Sequence, residues 1–146
     1  MELTFRGVKS PEDLQFCLDI RFLVFVEEQK VPLELEVDEY DEVAMHVLGL
    51  ADGLPAATLR LRFVEDKIKI ERFAVLKDYR SQGVGAAMMV ETLKLIEGLK
   101  ERMQITKAVL SAQEAVIPFY QKFGFSVCSD TYMDANIPHK DMELSL

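Results

Sequence analysis

The sequence predicts an α+β fold in which helices flank a mixed, mostly antiparallel sheet of six or seven strands. In the first half, runs that alternate apolar and polar residues are separated by turn residues such as Asp52-Gly53, as in antiparallel hairpins. In the second half, helical and strand-like periods alternate, which indicates strand–helix–strand crossovers. The chain has 146 residues, of which 49% are hydrophobic and 29% charged. We therefore expect residues 1–146 to form a single domain.

The N-terminal part is predicted to hold one strand and one helix. Residues 3–8 alternate apolar and polar side chains, as a half-buried strand does. Ser10 is a typical helix-capping residue and Pro11 suits the first helical position, so a helix is predicted to begin here. We expect this helix to extend to about Val26. The segment 28–42 has no sustained period, so we predict an irregular loop or a broken helix there.

The rest of the chain supplies the remaining strands and two more helices. Three strand-like runs follow one another and are expected to form an antiparallel meander: 44–50, 56–64 and 67–75. Beyond them, the alternating periods predict helices at 83–101 and 114–123 and strands at 105–110, 125–128 and 142–146. Gly124 stands where a helix-ending glycine is expected.

Most of the net charge of −8 lies in one acidic segment, because eight acidic residues and one lysine fall between Glu27 and Glu42. Phosphates are repelled by such a segment, so a nucleic-acid partner is disfavoured. The segment either attracts a cationic ligand or is a solvated acidic loop, and its charge alone does not distinguish the two.

The sequence also argues against a membrane protein and against a metal site. Every apolar stretch is interrupted by charge before it could cross a bilayer, so we expect a cytoplasmic protein with no membrane partner. Cys17 and Cys128 lie far apart without metal-ligand spacing, so we interpret both as reduced packing residues and expect no metal. A monomer and a homodimer fit the sequence equally well.

A turn rich in glycine connects a predicted strand to a predicted helix: Arg80-Ser81-Gln82-Gly83-Val84-Gly85. The first N–H groups of a helix have no partner within it and carry partial positive charge, so they favour a phosphate group. Glycine at positions 83 and 85 leaves room for a diphosphate near the backbone. The alternative is that Gly83 only caps a turn while Gly85 allows close helix packing. A Rossmann turn would need a third glycine at position 88, which is Met88.

This turn, following Phe73-Ala74-Val75, resembles the acetyl-CoA signature of the GNAT superfamily of N-acetyltransferases, through Arg80-x-x-Gly83-x-Gly85. Two more passages resemble the family's fifth strand and its Phe-Tyr-x-x-x-Gly-Phe helix end: 109–113 and 119–125. Three others resemble the ElaA/YjcF-like branch: Arg21–Gln29, Glu36–Asp41 and Ile137-Pro138-His139. The resemblance extends over essentially the whole chain.

The resemblance implies that acetyl-CoA is the co-substrate and lies between the strands at 67–75 and 105–110. The main chain of Phe73, Ala74 and Val75 would then bond the pantetheine arm, and the N–H of Val75 could polarise the thioester carbonyl. The diphosphate would be held by Arg80, Ser81 and the backbone N–H groups of Gln82, Val84 and the two glycines. Gln113 is expected to orient the coenzyme or a water molecule.

The implied reaction transfers an acetyl group to an amine of a small molecule, or of a peptide, by direct attack on the thioester. Tyr120 matches the family tyrosine that protonates the leaving thiolate; the alternative role is that of a core aromatic residue. Glu71 is a candidate base acting through water, or else a surface glutamate paired with Arg72 or a lysine. A lone histidine such as His139 is more often structural.

Three carboxylates in the acidic segment are candidates for binding the cationic acceptor amine: Glu28, Asp38 and Asp41. Two other classes of function fit the same fold. One is a sensor that binds acyl-CoA without turnover, and the other is an interaction module that docks a basic protein on the acidic segment.

Overall fold

The structure, a computed structural model, describes all 146 residues. Its sheet contains eight strands: β1 (Leu3–Gly7), β2 (Met45–Ala51), β3 (Leu54–Val64), β4 (Lys67–Val75), β5 (Lys107–Gln113), β6 (Ser126–Val127), β7 (Tyr132–Asp134) and β8 (Ile137–Ser145). Their order is β1-β2-β3-β4-β5-β8-β6, with β7 beside β8. Only β4 and β5 run parallel. The predicted mixed, mostly antiparallel sheet is confirmed.

The C-terminal strands differ from the prediction. A strand was expected only from residue 142, but β8 begins at Ile137 and pairs with β7 in a hairpin, which brings the number of strands to eight. The hairpin turns at Ala135 and Asn136, whose φ angles of 50° and 62° belong to a two-residue turn of the left-handed kind. Alanine is not a usual residue for such a turn, so the sequence does not signal it.

Four α-helices flank the sheet: α1 (Pro11–Arg21), α2 (Leu33–Glu36), α3 (Val84–Met103) and α4 (Ile117–Gln121). The start of α1 is as predicted, since the Ser10 side chain accepts a hydrogen bond from the N–H of Asp13 at 3.1 Å. However, α1 ends at Arg21 and the chain continues as a π-helix over Phe22–Glu28. A helix predicted over 114–123 is instead a 3₁₀ turn followed by the single short helix α4.

Helices cover both faces of the sheet and bury a core against each. The larger core lies beneath α3 and includes Leu59, Ile68, Met88 and Met142. The smaller core lies beneath α1 and contains Cys17, which is fully buried as a packing residue, whereas Cys128 is exposed and was wrongly predicted to be one. None of the helices is long and apolar enough to span a membrane.

A β-bulge in β4 separates it from β5. Thr58 of β3 pairs with Ala74 and Arg60 pairs with Glu71, so Arg72 and Phe73 together oppose one residue of β3. The φ angle of Arg72 is 54°, which bends the strand at this point. β4 and β5 are paired only as far as Ile70 and Leu110. Beyond those residues, the two parallel strands diverge and leave a V-shaped opening within the sheet.

Candidate active site

A groove of about 1120 Å³ occupies the opening between β4 and β5. The main chain from Glu71 to Val75 lines one side, and Ser111 and Gln113 of β5 line the other. Because the end of β4 has no strand partner on this side, its main-chain N–H and C=O groups there are available to a ligand. The groove lies where the sequence predicts the coenzyme.

The first turn of α3 closes one end of the groove. Gly83 is the residue before the helix and has a φ of 82°, a left-handed conformation that suits glycine. Gly83, Gly85 and Ser81 line the groove. The side chain of Val84 is instead buried in the core, and that of Gln82 donates to the carbonyl of Asp78 at 2.7 Å. A ligand can therefore meet Val84 and Gln82 mainly through their backbone.

The space above the two glycines fits a diphosphate. A Cβ atom added to Gly83 would meet no atom within 4 Å, and one added to Gly85 would lie 3.7 Å from Phe119 and Val75, which is ordinary contact. Gly85 is thus not required for close packing of the helix, whereas the turn at Gly83 does need its positive φ. The unpaired amides at the start of this long helix face an open space of the kind an anion needs.

Arg80 is bound at the same end of the groove. Its Nε donates to the carbonyl of Val75 at 2.9 Å, and its terminal nitrogens donate to the two carboxylate oxygens of Glu28, each at 2.8 Å. The hydrogen bond from Arg80 lowers the pKa of Glu28. Glu28 is thus paired at the phosphate end and does not line the groove, which corrects the expectation that it receives the acceptor amine.

Tyr120 of α4 lines the groove and packs among aromatic rings. Its ring centroid lies 5.2 Å from that of Phe119, 6.2 Å from Phe125 and 6.5 Å from Phe73. Burial raises the pKa of its hydroxyl to about 12 and is the sole cause of that shift. Tyr120 is therefore a packed aromatic residue that also lines the groove and keeps its hydroxyl protonated at neutral pH.

Comparison with known proteins agrees with this geometry. Residues 24–146 match the model of the acetyltransferase (GNAT) domain. The chain belongs to the GNAT family of acetyltransferases. It is 36% identical to the uncharacterised N-acetyltransferase YjcF of Bacillus subtilis, over 92% of this chain and 94% of that protein.

Two crystal structures have the same GNAT fold along nearly the whole chain. An acyl-CoA N-acyltransferase from Pseudomonas aeruginosa matches with a TM-score of 0.85 and 30% identity, over 97% of this chain and 99% of the other. Escherichia coli ElaA matches with a TM-score of 0.84 and 27% identity, over the same shares of the two chains. The predicted ElaA/YjcF-like branch is thereby confirmed.

In this GNAT domain the acidic segment forms half of an ion network beneath the groove. Arg21 and Arg60 are almost fully buried. Arg21 binds Glu36 at 2.5 Å and Asp41 at 2.7 Å, and Arg60 binds Asp38 at 2.7 Å. Arg72, at the β4 bulge, adds a contact of 3.2 Å to Asp38. Three of the eight carboxylates of the segment are thus bound in this network, and the other five acidic residues are exposed. Together with Glu71, those three are held by four arginines: Arg21, Arg60, Arg62 and Arg72.

This network corrects the roles expected of three carboxylates. Asp38 and Asp41 are bound by arginines and do not line the groove, so neither is free to receive an amine. Glu71 does line the groove, but it accepts from Arg60 at 2.9 Å and from Arg62 at 2.6 Å. Burial alone would raise the pKa of Glu71, yet these two arginines outweigh it and lower the pKa, which makes Glu71 a weak base.

The network makes the protein sensitive to acid. Burial opposes ionisation of Asp41, but Arg21 and Arg60 lower its pKa from the ordinary 3.8 to about 2. A depressed carboxylate pKa stabilises the fold at pH values above the unfolded pKa, and this contribution is lost as the pH falls toward the folded pKa. We expect the free energy of unfolding to fall by roughly 2 kcal/mol from this group between pH 5 and pH 2.

Urea unfolding at a series of pH values, followed by circular dichroism, measures that dependence. The control is Asp41→Asn, whose stability should be lower at pH 5 but should change less with pH. An equal slope in the two proteins would contradict the role of Asp41.

On β5, Gln113 lies on the groove wall. Its amide donates to the side-chain oxygen of Gln29 at 2.8 Å, so it ties β5 to the segment after the π-helix. A second cavity of about 480 Å³ adjoins the groove between that segment and the β7–β8 hairpin. No carboxylate lines this cavity, and its apolar contacts come from Pro32, Leu35 and Ile137 among others.

Asp141, which lines the groove, and Tyr132, which contacts Asp141, were not singled out from the sequence because β7 and the start of β8 were missed. Tyr132 of β7 donates to Asp141 of β8 at 2.5 Å and is hydrogen-bonded to Ser111 of β5. His139, treated as structural, lies on the groove wall opposite Gln113. The hairpin turn at Ala135-Asn136, had it been recognised, would have placed Tyr132 beside His139.

Proposed function

We propose that this GNAT protein transfers the acetyl group of acetyl-CoA to the amine of a small molecule. The observation that carries the proposal is that one groove joins three features: free main-chain groups on β4, open amides at the start of α3 and the protonated hydroxyl of Tyr120. The size of the adjoining cavity supports a small-molecule acceptor.

The residues of the chain have separate tasks in this reaction. The main chain of Phe73, Ala74 and Val75 would bond the extended pantetheine arm, while the amides from Gln82 to Gly85 would hold the diphosphate. The amine nitrogen attacks the thioester carbon, a C–N bond forms and the C–S bond breaks. Tyr120, whose hydroxyl is protonated at neutral pH, donates its proton to the departing sulfur.

Release of free thiol tests this function directly. The protein is incubated with acetyl-CoA and each of a panel of amines: 2-phenylethylamine, spermidine, glucosamine, free amino acids and a lysine peptide. We expect thiol release that depends on at least one small amine. Measurable coenzyme binding without release above buffer for every amine would instead favour a sensor that binds acyl-CoA without turnover.

The phosphate site has its own test in Gly83→Leu. A leucine at this position would be strained by the left-handed φ and would place a side chain over the open amides. Loss of one hydrogen bond to a charged group costs about 1.5 kcal/mol or more, so we expect the Kd for coenzyme A to rise roughly tenfold. Isothermal titration calorimetry measures it.

Gly98→Ala serves as the matched control, because Gly98 also lies in α3 and a Cβ atom there would meet nothing within 4 Å. Its affinity for coenzyme A should equal that of the unaltered protein. Undiminished affinity in Gly83→Leu would count against this turn as the phosphate site.

A further inference from the structure

We propose that His139 is the general base that removes a proton from the acceptor amine, through its Nε2 atom. This inference rests on the proposed acetyl transfer. An alkylamine with a pKa near 10 arrives mainly as an ammonium ion, which cannot attack until it loses a proton. Glu71, the carboxylate first expected to serve this step, is paired with Arg60 and Arg62, so the groove needs another base.

The hydrogen bond of His139 fixes which ring nitrogen can act. Its Nδ1 lies 2.6 Å from the carbonyl oxygen of Ile137, which can only accept, so Nδ1 carries the hydrogen. Nε2 of the neutral ring then holds a free electron pair. His139 lines the groove, and Nε2 is the ring nitrogen that the backbone of its own strand does not occupy.

The protein leaves Nε2 unpaired without sealing it in the interior. His139 is only 8% exposed, and no protein group is hydrogen-bonded to Nε2. Two side-chain atoms are fully buried without a hydrogen-bond partner, Nδ1 of His46 and the hydroxyl oxygen of Thr92. Nε2 of His139 is not one of them, so it is accessible. His46 provides the contrast, because it is equally buried but lies outside the groove and donates its Nε2 hydrogen to the carbonyl of Asp41.

Neighbouring strands hold the ring in place. Tyr132 of β7 stacks on it with ring centroids 6.1 Å apart and an angle of 20° between the planes. Gln113 of β5, directly opposite, is neutral. Titratable groups on the elements around His139 include Tyr132 and Asp134 of β7, and Lys140 and Asp141 on its own strand. Glu114, in the 3₁₀ turn packed against β8, accepts a hydrogen bond from Thr131.

The other carboxylates of the groove are less suited to this step. Glu36 and Glu71 belong to the arginine network, and Glu143 is 3.2 Å from the ammonium group of Lys107. Asp134 and Asp141 have no cationic partner, but Asp134 is exposed beside the hairpin turn and Asp141 already accepts the hydroxyl hydrogen of Tyr132. A base is most effective when its ordinary pKa lies near neutrality, which favours an imidazole over a carboxylate.

The acceptor nitrogen loses two protons in this reaction. Nε2 of His139 takes one proton from the ammonium group, and the imidazolium later returns it to solvent. The neutral amine forms the C–N bond as the C–S bond breaks, and the sulfur takes a proton from Tyr120. The second N–H proton lost by the new amide nitrogen restores the hydroxyl of Tyr120. The products are the amide and the free thiol.

A pair of isosteric acceptors tests this role. 2-Phenylethylamine needs a base at neutral pH, whereas O-benzylhydroxylamine, in which oxygen replaces the methylene group beside nitrogen, is already unprotonated. We expect His139→Gln to lower kcat/KM roughly 100-fold or more for the amine and less than about fivefold for the aminooxy compound. If the unaltered protein prefers another alkylamine from the panel, that amine and its aminooxy isostere replace the pair.

Two further variants separate the possible outcomes. His46→Gln, at a histidine outside the groove, should keep kcat/KM for both acceptors, and thermal unfolding of each variant checks the fold. Equal losses for both acceptors in His139→Gln would make His139 structural. Selective loss in Asp141→Asn with none in His139→Gln would assign the base to Asp141. Either result overturns the inference alone, whereas an unaltered protein that acetylates no amine overturns the proposed function as well.

Discussion

Replacing Arg60 with methionine is expected to lower the free energy of unfolding by about 3–5 kcal/mol, since it removes one member of a buried ion network. The guanidinium of Arg60 binds Asp38 and Asp41 at 2.7 and 2.9 Å and Glu71 at 2.9 Å, and its side chain is 1% exposed. Without it, three carboxylates beneath the groove lose their shared cation. Methionine preserves most of the apolar volume, so the loss of charge is the main change.

Urea unfolding at pH 7 measures this change, and Lys94→Met is the matched control. Lys94 is exposed and its contact of 3.5 Å with Glu91 lies on the surface of α3, so its removal should cost no more than about 0.5 kcal/mol. A loss of less than 1 kcal/mol in Arg60→Met would mean that the network is not important for stability.

Replacing Tyr120 with phenylalanine is expected to lower kcat by a factor of roughly 10²–10⁴ while leaving the Kd for coenzyme A nearly unchanged. The ring contacts with Phe73, Phe119 and Phe125 are retained, so packing is preserved. What disappears is the hydroxyl that would protonate the leaving sulfur. Without it, the thiolate must depart charged or take its proton from water.

Steady-state thiol release and calorimetric coenzyme binding, performed on the same preparations, give the two quantities. Tyr40→Phe is the control, because Tyr40 does not line the groove. Its ring packs against Arg62, whose guanidinium carbon lies 3.8 Å from the ring centroid. An unchanged kcat in Tyr120→Phe would remove the role assigned to its hydroxyl.

The parts of the fold that local signals specify were predictable from the sequence. Ser10 and Pro11 specify the start of α1, and the turn at Asp52-Gly53 specifies the β2–β3 hairpin. The glycines at 83 and 85 correctly indicated where a strand leads into α3 beside a groove. These features depend on residues close together in the chain, which is why periodicity and turn chemistry sufficed.

The ion network and the acceptor side of the groove depend on contacts between distant residues. Arg60 stands in a strand pattern that indicates only an outward-facing residue, and its carboxylate partners come from 11 to 22 positions away. The acidic segment could be recognised, but not the arginines that meet it. Similarly, the groove position of His139 depends on β8 pairing with β5, which no local pattern specifies.

The diverging strands also have a consequence for aggregation. Unpaired backbone along a strand ordinarily invites another polypeptide to add to the sheet. Here the unpaired stretch of β4 faces inward, because β3 pairs with its other side and β5 closes the V at Ile70 and Leu110. Because the opening is closed where the two strands pair, it is not a free sheet edge along its whole length. The unpaired main-chain groups of β4 can therefore remain available to an extended ligand. A second protein chain is not expected to add to the sheet at that site.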